Sequence, residues 1–445
     1  MTRLRPSRRK VLAGSLAGSA VALAAPFVRT AHAAGSLSVG MWDHWVPGAS
    51  PGMEKLIKEW AEKEKVDVKV DFITSQGNKL LLTVVAEAQA KSGHDIIYLP
   101  SWQTARNAEV LEPLDDIMND LIKANGDVSN VAKYLALIKG KWMAMPSTYG
   151  AQMKGPSTRI DLFKQHAGID VTALYPAGAP PKSESWTYDA FLKAAEACHK
   201  AGVPIGIGLG TTADSVDSIG AIFASFGATL VDPNEKITVK TDAVRQALDY
   251  CKRLTAFLPP DAPSWDDASN NKLFVAGKTA MILNPPSAWA VAVRDAPQIA
   301  EQTWHHSMPS GPKGRYASFL QPNIGIWSFS KNKSAAKSLL RHLGTRASAE
   351  AMVAASKGYD IPPFAKFKDF KTWAEIGPPK GTLYHYPDPH GDQILAVAAM
   401  PSPHHIAERI YVQGTMTKMV VRHFQGEPME KTLAWAESEI EGFMR

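Results

Sequence analysis

The first hundred residues alternate between strand and helix patterns, and this alternation restricts the fold more than any other feature of the sequence. Apolar residues at 37–41 indicate a short strand, and the apolar positions within 53–61 recur at helical spacing. Residues 66–72 alternate between apolar and charged side chains, which is the two-residue period of a strand. A second helical stretch at 79–91 precedes a third strand at 95–99. This order predicts a parallel sheet with helical crossovers.

Aromatic and polar side chains follow each of these three predicted strands. Ligands of open parallel sheets bind beyond the carboxyl ends of the strands, so we expect a ligand cleft at this edge. An indole can stack on the C–H face of a sugar ring, and carboxylates and amides bond its hydroxyls. Burial in the core is the alternative for any single aromatic residue. The residues that we expect to bind ligand here are Trp42, Asp43, His44, Trp45, Ser75, Gln76, Ser101 and Trp102.

A second set of strand and helix patterns occupies the middle of the chain. Thr187 is suited to cap a helix that continues to Lys200, because its hydroxyl can accept from a free backbone N–H. The chain length of 445 residues, with this second set, predicts two or more domains. Further strands are predicted at 204–209 and 278–283, and further helices at 214–226, 242–257, 335–343, 347–355 and 429–443.

The positive charge of the chain is confined to its beginning. The formal net charge is +6, with 49 Lys and Arg against 43 Asp and Glu. Six of the basic residues and no acidic residue lie in the first 33 positions, so the remainder is electroneutral. Because nucleic-acid binding needs clustered Lys and Arg, we expect no nucleic-acid partner.

The same N-terminal segment has the features of an export signal. An apolar stretch at 11–28 follows the basic start, and Ala31 and Ala33 fit the small residues of a cleavage site. Residues 1–33 therefore predict a signal peptide, cleaved near Ala33, and a periplasmic protein. The adjacent Arg8 and Arg9 resemble a twin-arginine signal, and a Sec signal remains the alternative because Val11 stands where Phe is usual.

The two cysteines, Cys198 and Cys251, both fall in helical patterns. Buried free thiols are expected of them, and a disulfide in an oxidising compartment is the alternative.

One glycine-rich segment supports an enzyme as the alternative function. Gly208, Gly210 and Ala213 match a dinucleotide-binding fingerprint between a predicted strand and helix, which would make the protein an exported NADP-dependent oxidoreductase. Asp214 and Asp217 count against it, because they place negative charge where a pyrophosphate would bind. A hydrolytic enzyme with Asp43 as its acid is a second form of this alternative.

A third motif has residue types that can bind a metal. The segment contains His385, Asp388, His390 and Asp392, but Pro387 and Pro389 make it extended, so the four side chains need not converge. We expect a solvated loop there, and no metal, cofactor or catalytic residue in the protein.

In its order of motifs the chain resembles the family 1 extracellular solute-binding proteins of ABC importers, the maltose-binding-like group. The most specific block is 274–281, which resembles the family's Phe-x-x-Gly-Lys-x-Ala-Met strand, with the loop at 284–289, where Pro286 and Ser287 depart from the family's pattern. The other matching blocks lie at 53–60, 80–98, 111–115, 140–146, 330–336 and 426–428.

The resemblance implies an α/β protein with the two-lobed fold of type II periplasmic binding proteins. Each lobe would be a mainly parallel sheet flanked by helices, with the ligand cleft between the lobes. The implied N-terminal lobe comprises residues 34–145 and 308–345, and the C-terminal lobe comprises 146–307 and 346–445.

By the same resemblance, the protein would be a non-enzymatic receptor that closes on a solute and delivers it to the permease subunits of an ABC transporter, and we expect it to be a monomer. The residue types favour a carbohydrate-like solute, namely a sugar, oligosaccharide or polyol. Opines and polyamines remain open, and His44 leaves an acidic or phosphorylated ligand open. Beyond the residues at the three strand ends, the expected ligand-binding residues are Tyr149, Asp214, Asn284, Trp289, Gln321, Asn323, Tyr359 and Asp360. Lobe packing is the alternative for Tyr149 and Trp289.

Overall fold

The computed structural model describes residues 36–387 and 390–445. The predicted signal peptide and Asp388 lie outside the described residues. The strands are β1 Ser36–Trp42, β2 Asp67–Ile73, β3 Ile96–Leu99, β4 Leu137–Ile138, β5 Lys141–Trp142, β6 Met145–Pro146, β7 Gln152–Lys154, β8 Pro156–Arg159, β9 Met281–Leu283, β10 Thr303–His305, β11 Ser310–Gly311, β12 Gly314–Leu320, β13 Asn323–Ile326 and β14 Ile394–Ala396.

Helices surround these strands. They are α1 Ala49–Glu64, α2 Lys79–Ala90, α3 Gln103–Arg106, α4 Asp115–Asn125, α5 Asn130–Ala136, α6 Ile160–Leu162, α7 Val171–Leu174, α8 Tyr188–Lys200, α9 Ala213–Phe226, α10 Asp242–Thr255, α11 Ser269–Val275, α12 Ser287–Asp295, α13 Pro297–Ala300, α14 Lys333–Leu343, α15 Arg346–Ala355, α16 Thr372–Glu375, α17 His404–Gln413, α18 Thr415–Phe424 and α19 Met429–Met444. No helix in the described part of the chain is long and apolar enough to cross a membrane.

The first sheet has the strand order β2-β1-β3-β13-β6. Strand β1 pairs in parallel with β2 and with β3, which confirms the parallel arrangement predicted for the first three strands. Helix α1 covers this sheet with its apolar face, where Met53, Ile57 and Trp60 are buried. Strand β13 pairs antiparallel with β3 and with β6, so the sheet is completed by a segment that returns from later in the chain.

The second sheet, of order β10-β8-β9, differs from the mainly parallel sheet that was expected. Both β9 and β10 run antiparallel to the central strand β8. The strand predicted at 204–209 is reduced to one parallel bridge between Gly206 and Ile282. The physical reason lies in the segment itself, because Pro204 cannot donate to a ladder and the glycines at 206, 208 and 210 disfavour an extended strand.

A third sheet connects the other two. The chain leaves the first sheet after β6 and passes through β7 to β8, and it returns from β10 through β12 to β13. Strands β7 and β12 are antiparallel neighbours, and β12 also pairs with β11 and β14. Two stretches of chain thus run side by side between the lobes.

The predicted helices of the second set are confirmed within a few residues. Helix α8 begins after Thr187, whose side chain accepts from the backbone N–H of Ala190, and Thr212 caps α9 in the same way through Ser215. Both cysteines are buried and free, and burial raises the pKa of each thiol, to about 11 for Cys198.

Candidate functional site

A cleft lies between the two lobes, at the carboxyl ends of the parallel strands. It encloses about 700 Å³ of space, part of which is open to solvent. This size is typical of small-molecule sites, which span about 300–1,000 Å³. Its lining residues are Trp42, Trp45, Ser75, Leu80, Tyr98, Pro100, Ser101, Gln152, Lys154, Ala213, Asp214, Asp267, Asn271, Asn284, Pro285, Ser287, Leu320, Pro322 and Tyr359.

The first rim of the cleft is aromatic and carries no charged side chain among its lining residues. Trp42 is the last residue of β1, and Ser75 and Ser101 each lie two residues beyond the ends of β2 and β3. The indole N–H of Trp42 donates to Ser75 Oγ at 3.4 Å. Ser101 Oγ is buried and has no partner among the described residues, so it is available to a solute. Trp45 is half-buried and lines the same side.

The second rim is charged. Lys154 at the end of β7 is buried, and its ammonium contacts the carboxylates of Asp214 and Asp217, the latter at 3.3 Å. Burial lowers the pKa of Lys154, but these carboxylates outweigh burial and hold it above the usual value. Burial raises the pKa of Asp214 to about 6, against the opposing effect of Lys154. Asp267 Oδ1 accepts the backbone N–H of Asp214 at 3.0 Å.

Amide and hydroxyl groups continue the second rim. Asn284 donates to Asn271, and Asn271 Nδ2 donates to Ser287 Oγ at 3.3 Å. Asn284 immediately follows β9, and Ser287 is the first residue of α12, so a strand end and a helix start hold this network in place. These groups can donate to and accept from the hydroxyls of a solute.

Seven of the predicted ligand-binding residues line the cleft, and nine do not. Those that line it are Trp42, Trp45, Ser75, Ser101, Asp214, Asn284 and Tyr359. Of the remaining nine, Asp43 and Gln76 are exposed outside the lining, and Asp43 Oδ1 accepts from Ser50 Oγ at 3.1 Å. Direct contact between any of the sixteen and a solute stays a prediction.

Three of the nine form a buried network where the chain crosses between the lobes. His44 Nδ1 accepts from the backbone N–H of Val46, so its Nε2 carries the proton and donates to Asp360 Oδ1 at 3.0 Å. The backbone N–H of Gly150 donates to the same oxygen at 2.8 Å, and Tyr149 Oη donates to the Trp42 carbonyl at 2.9 Å. Burial raises the pKa of Asp360, against the opposing effect of His44. These hydrogen bonds connect the end of β1 and the residues that follow it with the stretch between β6 and β7 and with Asp360. The three side chains do not line the cleft.

The other four are packed within the protein. Trp289 is fully buried and donates to the Pro378 carbonyl at 2.7 Å, which supports the packing alternative. Trp102 packs edge-on against Tyr134. The side-chain amide of Gln321 donates to the Ser147 carbonyl, and that of Asn323 donates to Thr104 Oγ1.

Sequence reasoning missed twelve of the lining residues. Gln152 and Lys154 lie on a crossing strand that is too short to show a period, and Asp267, Asn271, Pro285 and Ser287 lie in loops or at helix starts. Leu80, Tyr98, Pro100, Ala213, Leu320 and Pro322 complete the missed set. Tyr98 and Pro100 could have been found, because they flank the end of the predicted third strand.

The glycine-rich segment serves the packing of the protein. A Cβ at Gly208 would lie 2.6 Å from Ser215 Oγ, and one at Gly210 would lie 3.1 Å from the Trp265 carbonyl oxygen. The glycines therefore permit close approach of the chain to itself, and the helix that follows carries Asp214 in its first turn, where it is paired with Lys154. The oxidoreductase alternative is wrong at this segment.

The predicted metal-compatible segment is held by other contacts. His385 is buried between the carbonyls of His390 and Pro176, and Asp392 pairs with Arg315 at 3.1 Å. Within residues 36–387 and 390–445, no group of three or more His, Cys, Asp or Glu is arranged to hold a metal ion.

Comparison with known proteins gives consistent matches. The family described as bacterial extracellular solute-binding protein matches residues 55–377. A probable ABC transporter-binding protein of Deinococcus radiodurans is 26% identical over 330 residues, which cover 70% of this chain and 73% of that protein.

Solved structures share the fold at low sequence identity. Maltose-bound MalE3 of T. maritima superimposes with a TM-score of 0.71 at 18% identity, covering 91% of this chain and 99% of that one. A sugar transporter protein of Arthrobacter chlorophenolicus with bound laminaribiose gives 0.70 at 14% identity, covering 92% and 99%. A solute-binding protein of Thermotoga lettingae bound with α-D-tagatose gives 0.68 at 18% identity, covering 92% and 100%. The two-lobed type II binding-protein fold is thereby confirmed.

Proposed function

The chain belongs to the bacterial extracellular solute-binding proteins, which bind solutes and are not enzymes, and from this premise we propose that it is a receptor for a carbohydrate-like solute. The solute is a sugar, oligosaccharide or polyol that enters the cleft, holds the lobes closed and is delivered to the permease subunits of an ABC transporter. A solute shifts the equilibrium between the open and closed conformations only by the difference between its affinities for the two. Both rims must therefore contact the solute in the closed state.

One observation carries the proposal: two tryptophans face a set of amides, hydroxyls and carboxylates across one cleft. Trp42 and Trp45 offer apolar surface to the C–H face of a sugar ring, whereas Asn284, Ser287 and Asp214 offer donors and acceptors to its hydroxyls. The maltose, laminaribiose and tagatose named for the similar structures support the same solute class.

We assign residues 34–145 with 308–345 to the N-terminal lobe, and residues 146–307 with 346–445 to the C-terminal lobe. The strand order of the first sheet supports this division, because its five strands all fall within the first pair of ranges or at its edge. We further propose that the chain is exported to the periplasm, with cleavage of its signal peptide near Ala33, and acts as a monomer.

A thermal melt of the protein recovered from the periplasm of an expressing strain tests the proposal. The panel contains mono- and oligosaccharides, polyols, sugar acids, opines and polyamines, with NADP as a control. Because a solute that binds only the folded state raises the melting temperature, we expect a rise with one carbohydrate class and none with NADP. A rise confined to opines or polyamines would overturn the carbohydrate assignment and keep the receptor function.

A further inference from the structure

The balance of charge in the cleft bears on which carbohydrate-like solutes can bind, and this inference rests on the proposed function. Among the described residues that line the cleft, Lys154 is the cation, and Asp214 and Asp267 are the carboxylates. A third carboxylate, Asp217, lies against the same lysine and is fully buried. One ammonium group thus stands against three carboxylates.

The lysine is not available to a solute anion. Its side chain is 1% exposed, and its ammonium is already paired with Asp214 and with Asp217. An anionic solute would have to compete with two carboxylates that cannot move away without being left buried and unpaired. The lysine therefore neutralises part of the carboxylate charge and offers little to a sugar acid.

Asp267 is not paired with Lys154, although its charge adds to those of Asp214 and Asp217 in raising the pKa of that lysine. It is half-buried, and it accepts a hydrogen bond from the backbone N–H of Asp214. No Lys, Arg or His in the described part of the chain forms an ion pair with it. Burial raises the pKa of Asp214 and Lys154 lowers it, and the charge of Asp267 is the next largest effect and raises it. The two carboxylates therefore repel each other. A cation placed between them would relieve this repulsion.

The opposite rim is compatible with a cation as well. Trp42 and Trp45 line it, and indole rings attract ammonium groups as well as C–H faces. His44, the side chain that had left an acidic ligand open, lies outside the lining and is bonded to Asp360.

We propose that Asp267, with Asp214, selects a solute that carries a protonated amine beside its hydroxyl groups, such as an amino sugar or an amino polyol. The amine lies at the second rim against these carboxylates, and the hydroxylated part extends toward the indoles. Neutral analogues bind more weakly because they leave the carboxylate charge uncompensated, and anionic analogues bind weakest.

Ligand sets that differ at one group test this selectivity. Glucamine, sorbitol and gluconate form the open-chain set, and glucosamine, glucose and glucuronate form the ring set. Chitosan disaccharide against cellobiose extends the comparison to a longer solute, and spermidine tests an amine without hydroxyls. Isothermal titration at pH 7, with protein from the periplasm, measures each Kd. We expect the amine member of at least one set to bind about tenfold more tightly than its neutral counterpart.

Each other outcome overturns a defined part of the account. Neutral or acidic members that bind as well as the amines in every set would overturn the inference and leave the carbohydrate receptor intact. Tighter binding of spermidine than of any hydroxylated amine would overturn the carbohydrate assignment. Failure of all these ligands and of the whole carbohydrate panel would overturn the proposed function together with the inference.

A variant pair separates charge selection from a structural role of Asp267. In Asp267→Asn we expect the ratio of the neutral to the amine Kd to fall about tenfold, while the neutral Kd changes little. Glu350→Gln removes one exposed carboxylate on α15, outside the cleft lining, and should leave the ratio unchanged. Equal weakening of amine and neutral members in Asp267→Asn would show that Asp267 only maintains the shape of the cleft, and would overturn the inference.

Discussion

The two rims of the cleft are formed by different structural elements and by different types of side chain. The first rim is set by the carboxyl ends of parallel strands, and Trp42, Trp45, Ser75 and Ser101 line it without a charged group among them. The second rim draws on a crossing strand, a helix start and two loops, and it contains the buried Lys154 with its carboxylates. The first rim suits stacking and the second suits hydrogen bonding and charge, so neither alone accounts for a selective receptor.

The difference also concerns stability. Ion pairs that are removed from water are costly to break, because a partner left alone keeps its buried charge. An exposed or half-buried aromatic side chain can be truncated at smaller cost to the fold. Loss of Lys154 should therefore affect folding and truncation of the half-buried Trp45 should affect binding, whereas truncation of Trp42, which is buried, should affect both.

The largest expected effect is on folding. Lys154→Met leaves the buried Asp217 and the half-buried Asp214 without their cation, and we expect the free energy of unfolding to fall by about 3–5 kcal/mol. Urea denaturation measures it, with Lys331→Met, an exposed lysine, as the control. An unchanged unfolding free energy in Lys154→Met would show that the ion cluster does not contribute as described.

The next effect is on binding. Trp45 is half-buried and lines the first rim, so Trp45→Ala should weaken solute binding by about 2 kcal/mol, or about 30-fold, while destabilising the fold only modestly. Isothermal titration with the solute selected by the thermal panel measures the loss. Trp435→Ala, which truncates a half-buried tryptophan that does not line the cleft, is the matched control. Equal affinity in both variants would remove the first rim from the site.

A smaller effect depends on pH. The pKa of Asp214 is about 6 in the folded protein, above the ordinary Asp value of 3.8, so the folded state holds this proton more tightly than the unfolded state. Its stabilising contribution is full below about pH 4 and is lost as pH rises through about 6. We expect the wild type to lose about 2–3 kcal/mol relative to Asp214→Asn between pH 4 and 7. Urea titrations of both proteins at each pH check this, and a constant difference would contradict it.

The smallest effect is expected at Asp43. This residue is exposed and lies outside the cleft lining, so Asp43→Asn should change solute affinity by less than about 0.5 kcal/mol. A loss as large as that of Trp45→Ala would extend the first rim to Asp43, as the sequence alone had suggested.

The predictability of the two rims follows from how each is encoded. The first rim was predictable because strand periods mark where β1, β2 and β3 end, and polar residues follow those ends. The helices of the second set were predictable from caps such as Thr187 and from apolar periodicity.

The second rim was largely hidden in the sequence. Lys154 reads as an isolated lysine on a three-residue strand, and its partner Asp214 lies 60 residues away. His44 and Asp360, 316 residues apart, were both expected to bind solute, whereas they bond each other. Contacts over such separations depend on how the lobes are connected. Sequence patterns that span a few residues do not indicate that connection.

The central claim is that one solute contacts both rims of the cleft at once, and a crystal structure of the protein with the best-binding solute tests it most directly. The account predicts a closed conformation, with the solute between Trp45 on one side and Asp267 and Asn284 on the other. A solute bound to a single rim in an open structure, or bound outside the cleft, would contradict it.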